Sequence, residues 1–183
     1  MPPAPPVKSP LSLLLTSIAT VSVSDAHTTP YALPKLRQHY RQAAADEAAS
    51  RRFYELMNAY TERDAVVLAY KAASEAIMAK HTGGLFDKLD RVKSASRQFD
   101  HAVQLNPRNP EIRFLRFSIE SNLPGFLGAS KHVDEDREML TTTLLQHPKS
   151  GLDAESFRVV RDFMLTHEHV RGPQAAQLRQ LPE

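Results

Sequence analysis

The sequence predicts an all-α protein of stacked antiparallel helical hairpins arranged as an irregular array, and three observations carry that expectation. Apolar residues recur at helical spacing after Pro34, as with Val66, Ala69, Tyr70, Ala73 and Ile77. The run Leu105-Asn106-Pro107-Arg108-Asn109-Pro110-Glu111 stops one helix and starts another within a single turn. No stretch after residue 35 alternates with the period of two that a strand requires.

The leader differs in composition from the rest. Four prolines fall among the first six residues, Lys8 precedes an apolar run from Leu11 to Val23, and Ser24-Asp25-Ala26 follows. A positive residue, a short apolar core and small residues at a cleavage point are the order of a secretory signal. Residues 1–26 are therefore expected to be a signal peptide and the protein to be exported, to a periplasm or outside the cell. The alternative is a Pro/Ser/Thr-rich leader on a cytoplasmic protein, which the hydroxyl groups inside the apolar run favour. Residues 27–34 read as a linker, 35–170 as one helical domain and 171–183 as a weakly ordered tail. The leader's apolar run is too short to span a bilayer, and no later segment reaches the roughly 20 apolar residues of a transmembrane helix.

From Lys35 to Tyr60, the residues Ala44, Ala48, Phe53, Leu56, Met57 and Tyr60 predict one long helix or two joined ones. The segment from Glu62 to Lys80 predicts a central helix, since Ala65, Leu68, Ala72, Ala76 and Ala79 fill most of the circumference that its main stripe leaves. Thr61 and Asp64 approximate a capping box, and Gly83-Gly84 offers a left-handed stop. Leu89, Val92, Ala95, Phe99, Ala102 and Val103 make the stripe of a helix from Asp87 to Leu105. Asn109 is placed to cap the next helix, with Pro110 and Glu111 suited to its first turn. Along Pro110 to Ser121, Ile112, Leu115 and Ile119 form one stripe and Phe114 and Phe117 a second, so this helix should pack on both neighbours. Phe126 and Leu127 are expected to plug the core from a loop. Val133 to Gln146, opening on Asp134, Glu135 and Asp136, and Ala154 to His167, with Phe157, Val160 and Met164, give two more helices separated by His147-Pro148. A short weak helix follows Gly172.

Composition narrows the function. Twenty-three basic and 21 acidic residues leave a net charge of +2, spread along the chain without blocks, so no field for steering nucleic acid is expected. Cysteine is absent, which removes disulfides, thiolate metal sites and cysteine nucleophiles. No cofactor signature is legible: Gly83-Gly84 lacks the Lys-Ser/Thr of a phosphate loop, and neither a Gly-x-Ser-x-Gly elbow nor a GxGxxG turn is present. No metal site is expected either. His132, Asp134 and Asp136 lie two apart and point in different directions on a helix, and His167-Glu168-His169 lacks the i, i+4 histidines of a zinc protease. Tyr31, Tyr40, Tyr54, Tyr60 and Tyr70 read as core residues.

Ala95-x3-Phe99-x2-Ala102-x4-Pro107 resembles the second-helix signature of the tetratricopeptide repeat, which implies a tetratricopeptide-like array. The first-helix positions of that repeat are not found upstream. Over about seventy residues, Tyr70 to Leu140 also resembles a family of short, helical, often exported bacterial proteins. The run Glu111-Ile112-Arg113-Phe114, Arg116 and Ser118 carries that resemblance, with Asn122, Pro124, Phe126, Leu127, Gly128 and the acidic start Asp134 to Asp136. It implies a helical fold and no particular activity.

Arg113, Arg116 and Glu120 fall at i, i+3 and i+7 on one helical face, with Glu111 near its start and Asn122 and Lys131 beyond its end. These six are the candidate partner- or ligand-binding residues. Read functionally, the guanidinium groups clamp a carboxylate or phosphate of a protein or peptide partner. Read structurally, they pair with Glu120 and the Asp134 to Asp136 cluster and lock two hairpins together, which is the favoured reading. The leading expectation for the whole chain is a non-catalytic helical interaction module. Its alternatives are an enzyme using the arginine face with Asp134 or Asp136 as acid or base, and a carrier holding a small apolar molecule near Phe114, Phe117 and Phe126.

Overall fold

A computed structural model describes residues 1, 30–124, 128 and 130–182. Among them are eight α-helices and no strand: α1 (Leu33–Ala45), α2 (Glu47–Asn58), α3 (Ala65–Lys80), α4 (Leu85–Leu105), α5 (Pro110–Glu120), α6 (Val133–Leu145), α7 (Ala154–Thr166) and α8 (Gly172–Gln180). The expected signal peptide and the Phe126-Leu127 plug lie outside the described residues.

Local chemistry sets the helix boundaries. Asp46 adopts an extended backbone and its carboxylate accepts from the Ala49 N–H at 2.7 Å, which resolves the stretch from Lys35 to Tyr60 into two helices. That break shifts the buried positions: Ala43 and Ala49 are buried, whereas Ala44 and Ala48 are exposed. Pro34, assigned to the linker, sits in the first turn of α1, where its missing N–H is harmless. The start of α3 is capped by Asp64, which accepts from Val66 and Val67, while exposed Thr61 lies outside the helix. Gly84, at φ +77°, precedes α4 as its N-cap; the left-handed residue starts a helix where a stop to α3 was expected. Asn109 caps α5 as the sequence predicts, accepting from Glu111 and Ile112 at 3.0 and 3.1 Å.

From α1 to α7 the helices pack on their sequence neighbours, most extensively α3 on α4, and α3 also touches α1 and α5. Ten of its 16 residues are buried, as its all-round apolar circumference requires. Among the described residues two large apolar cores result, with a small third cluster of Ala79 and Val92. The first joins α1 to α5 around Phe53, Met57, Tyr70, Ile77, Phe99 and Leu115. The second joins α5 to α8 around Phe117, Leu140, Leu144, Phe157, Met164 and Leu178. Helix α5 belongs to both: Ile112 and Leu115 enter the first core, with Ile119 packed against it, and Phe114 and Phe117 enter the second. Its two stripes thus do what the sequence predicted. The short segment after Gly172 docks α8 on α6 and buries Ala175 and Leu178.

Phe99 is 1% exposed at the centre of the first core, so Phe99→Ala should cost about 3–5 kcal/mol in chemical denaturation through the cavity it leaves. Asn109→Ala should cost about 1 kcal/mol through the lost cap. A surface-like loss below ~1 kcal/mol for Phe99→Ala would contradict the central placement of Phe99 in the first core.

Candidate functional site

Nine of the eleven residues of α5 are buried, including charged Arg113, Arg116 and Glu120. A buried charge is tolerated only when paired and hydrogen-bonded. Asp136, in the first turn of α6 and fully buried, supplies the partner. Arg116 donates to both its oxygens, Nε to Oδ2 at 2.7 Å and Nη2 to Oδ1 at 2.8 Å, a two-pronged geometry that only a guanidinium provides. Arg113 donates to the same Oδ1 at 2.7 Å, to Glu135, and through Nε to the Pro107 carbonyl at 2.9 Å. Asp100 on α4 lies 3.4 Å from Arg116. Two cations thus meet Asp136 and Glu135, and the cluster ties α5 to α6, to α4 and to the turn between α4 and α5. Burial pulls the Arg116 pKa down, but hydrogen bonds and charge from Asp136, helped by Glu120 and Glu135, outweigh it and leave the pKa raised. The Glu135 carboxyl is held below its usual range by its hydrogen bond to Arg113.

The candidate face is therefore an internal clamp. Glu120 acts on Arg116 through its charge but makes its hydrogen bonds elsewhere: it accepts from the His132 backbone N–H at 2.9 Å and sits 3.0 Å from His132 Nδ1, which fixes the approach to α6. Asn122 is exposed and donates to the Ser118 carbonyl at 2.7 Å, extending α5 by one more bond. Lys131 is exposed in the turn before α6. The acid or base assigned to Asp134 or Asp136 loses its setting, because Asp136 is sealed in the clamp and exposed Asp134 pairs with Arg137 at 2.8 Å.

Of the six candidates, Glu111 and Asn122 each line a sizeable cavity, and Glu120 lines only a small space of about 10 Å³. With α1, α3 and α7, the N-terminal half of α5 lines a groove of about 320 Å³. Ala44, Phe114, Leu152, Val159, Val160 and Phe163 give it an apolar lining. Most of its polar groups are spent on one another, whereas the buried Ser156 Oγ accepts and donates no hydrogen bond among the described residues. Arg37 grips both Glu111 oxygens at 2.8 and 2.7 Å and Asp153 at 2.7 Å, while the Tyr70 hydroxyl donates to Glu111 at 2.7 Å. Burial, then the Glu111 charge, drives the Tyr70 pKa far above the ordinary phenol value, so its hydroxyl stays a donor. Tyr40 and Ser118, which both line the groove, share a 2.9 Å hydrogen bond. A second cavity of about 700 Å³, the groove's second reach, shares the wall residues Tyr40, Ala44, Ser118 and Phe163 with the first and includes Asn122.

Comparison with family models, with curated proteins and with solved structures found no match to this chain. The groove residues Arg37, Tyr40, Tyr70 and Ser118 were not singled out as a site by sequence. The Arg37–Glu111 contact joins residues 74 apart, and no local pattern announces a pairing at that separation.

Asp136→Asn should destabilise the protein by about 3–5 kcal/mol in urea, since two buried guanidinium groups lose their shared counter-charge. Glu135→Gln, at a half-exposed side chain, should cost less than about 1 kcal/mol, and equal losses would contradict the clamp's centre. His169 lies edge-on to Phe117 at 4.8 Å, and burial, then the charges of His167 and Arg137, lower its pKa. The unfolded chain then takes up a proton near pH ~6.5 that the folded chain refuses, so stability is lost as pH falls through that value. The melting temperature should drop between about pH 7.5 and about pH 5.5. His169→Gln should flatten that drop; an unchanged slope would place the titration elsewhere.

Proposed function

We propose that the protein is a non-catalytic helical binding module whose binding surface is the groove over α5 and whose guest is an elongated apolar group. The observation that carries this reading is the groove's apolar lining, which leaves Val159 and Leu85 exposed to solvent at its two reaches, in a molecule that buries most of its large apolar side chains. Exposed apolar surface inside a concavity is what a guest covers. The volumes of its two reaches lie within the roughly 300–1,000 Å³ of ligand pockets. The absence of a free acid or base among Glu111, Arg37 and Tyr70, all mutually bonded, supports binding over turnover. The arginines that were to hold a partner's carboxylate are consumed in the clamp, so a peptide partner on this reading uses the groove as well.

The test uses N-phenyl-1-naphthylamine, whose emission rises in apolar surroundings. The wild type should bind it saturably. Ala44→Trp, which puts a large side chain at an exposed position lining both reaches, should weaken binding about tenfold while leaving the helical circular dichroism intact. Phe86→Ser, at an exposed residue outside the groove lining, should change nothing. No saturable binding, or equal binding by Ala44→Trp, would overturn the proposal. A library-selected peptide that displaces the dye would identify a partner protein as the source of the guest.

A further inference from the structure

The two reaches of the groove differ in charge. In the first, each cation is closed by carboxylates: Arg37 by Glu111 and Asp153, and Arg41 by Glu155 at 3.2 Å. In the second, Lys80 at the end of α3, Lys88 near the start of α4 and His167 just after α7 line the cavity, and no Asp or Glu lines it. Neither lysine has an ion-pair partner among the described residues. The rest of that reach is largely apolar, with Ile77, Leu85, Val92, Ile119, Leu123 and Phe163.

Resting on the groove as the binding surface, we propose that its guest is a single-chain amphiphile with a carboxylate head, of the fatty-acid class. The head lies between Lys80 and Lys88, and the hydrocarbon tail runs along α5, past the Tyr40–Ser118 bond, toward Phe114 and Val160. Charge selects the head. Two ammonium groups beside a low-polarity wall favour an anion, and as compact point charges they accept it without the fixed fork of an arginine. A cationic head would meet three basic side chains and no carboxylate, and a neutral one would gain nothing from them. Shape selects the tail. Helix α5 rises about 16 Å over its eleven residues, which sets an elongated path. The Arg37–Asp153 and Arg41–Glu155 pairs tie α1 to the N-terminal end of α7 and hold the first reach to about 320 Å³, room for one chain and not for the paired tails of a bilayer lipid.

The experiment displaces bound N-phenyl-1-naphthylamine with laurate, dodecanol and dodecyltrimethylammonium, each kept monomeric near neutral pH. For the wild type, laurate should displace the dye at about tenfold lower concentration than dodecanol, and high salt should shrink that margin. In the Lys80→Met/Lys88→Met double variant the laurate advantage over dodecanol should vanish while the helical circular dichroism is kept. The inference is overturned if laurate and dodecanol displace equally, if the double variant keeps the preference, or if the cationic surfactant competes as well as laurate. It is also overturned if the protein sediments with anionic vesicles through Phe86 and laurate displaces nothing. Failure of the dye to bind at all would strike the groove reading itself, whereas dye binding without a carboxylate preference strikes this inference alone.

Discussion

The ion-pair cluster of Asp136 with Arg113 and Arg116 is the constraint on which the rest of the architecture hangs. Its components are deeply buried, and a buried charge without its partner is far more costly than an apolar residue in the same place. Helix α6 must therefore bring its first turn to one face of α5 in one register, because the two-pronged contact from Arg116 tolerates neither a slide nor a rotation. The same cluster reaches Pro107 and Asp100, so the turn that starts α5 and the helix before it are fixed by one set of charges. Such a cluster adds little net stability over apolar residues of the same size, and its contribution here is geometric: it sets where the second core stands relative to the first.

Four demands on one short helix follow from that placement. Helix α5 gives Ile112 and Leu115 to the N-terminal core, Phe114 and Phe117 to the C-terminal core, Arg113 and Arg116 to the clamp, and Glu111 and Ser118 to the groove. The groove is what remains when α1 and α7 approach α5 from different cores without filling the space between them. Pairs from Arg37 and Arg41 bridge those two helices at the rim of the cavity, whose lining is largely apolar.

Much of this was legible in the residues. The 3.6-residue period, the Asn109 cap and the double stripe of α5 are local or nearly so, and the structure shows each of them where the sequence put it. The structural reading of Arg113 and Arg116 also rested on nearby pattern, since acids follow twenty-odd residues later at a helix start. The details that went differently were competitions between adjacent residues. Asp64 and not Thr61 caps α3, and Gly84 opens α4 where it was expected to close α3, because each pair offers two compatible cap geometries that only the path of the chain distinguishes. Glu120 was expected to face the arginines by helical spacing, yet His132 reaches it first from the following turn.

By itself the sequence determined the helical class, the positions of most helices and the two-sided burial of α5, because periodicity, caps and proline stops act within a few residues along the chain. Only the tertiary structure decided which of the charged residues face inward, and where the concave surface lies. Arg37 meets Glu111 across 74 residues and Asp153 across 116, Lys80 comes to share a cavity with Lys88 and His167, and two cavities come to share Tyr40 as a wall. Those neighbours are set by how two cores dock on one helix, a sum over many weak contacts that no single stretch of residues encodes.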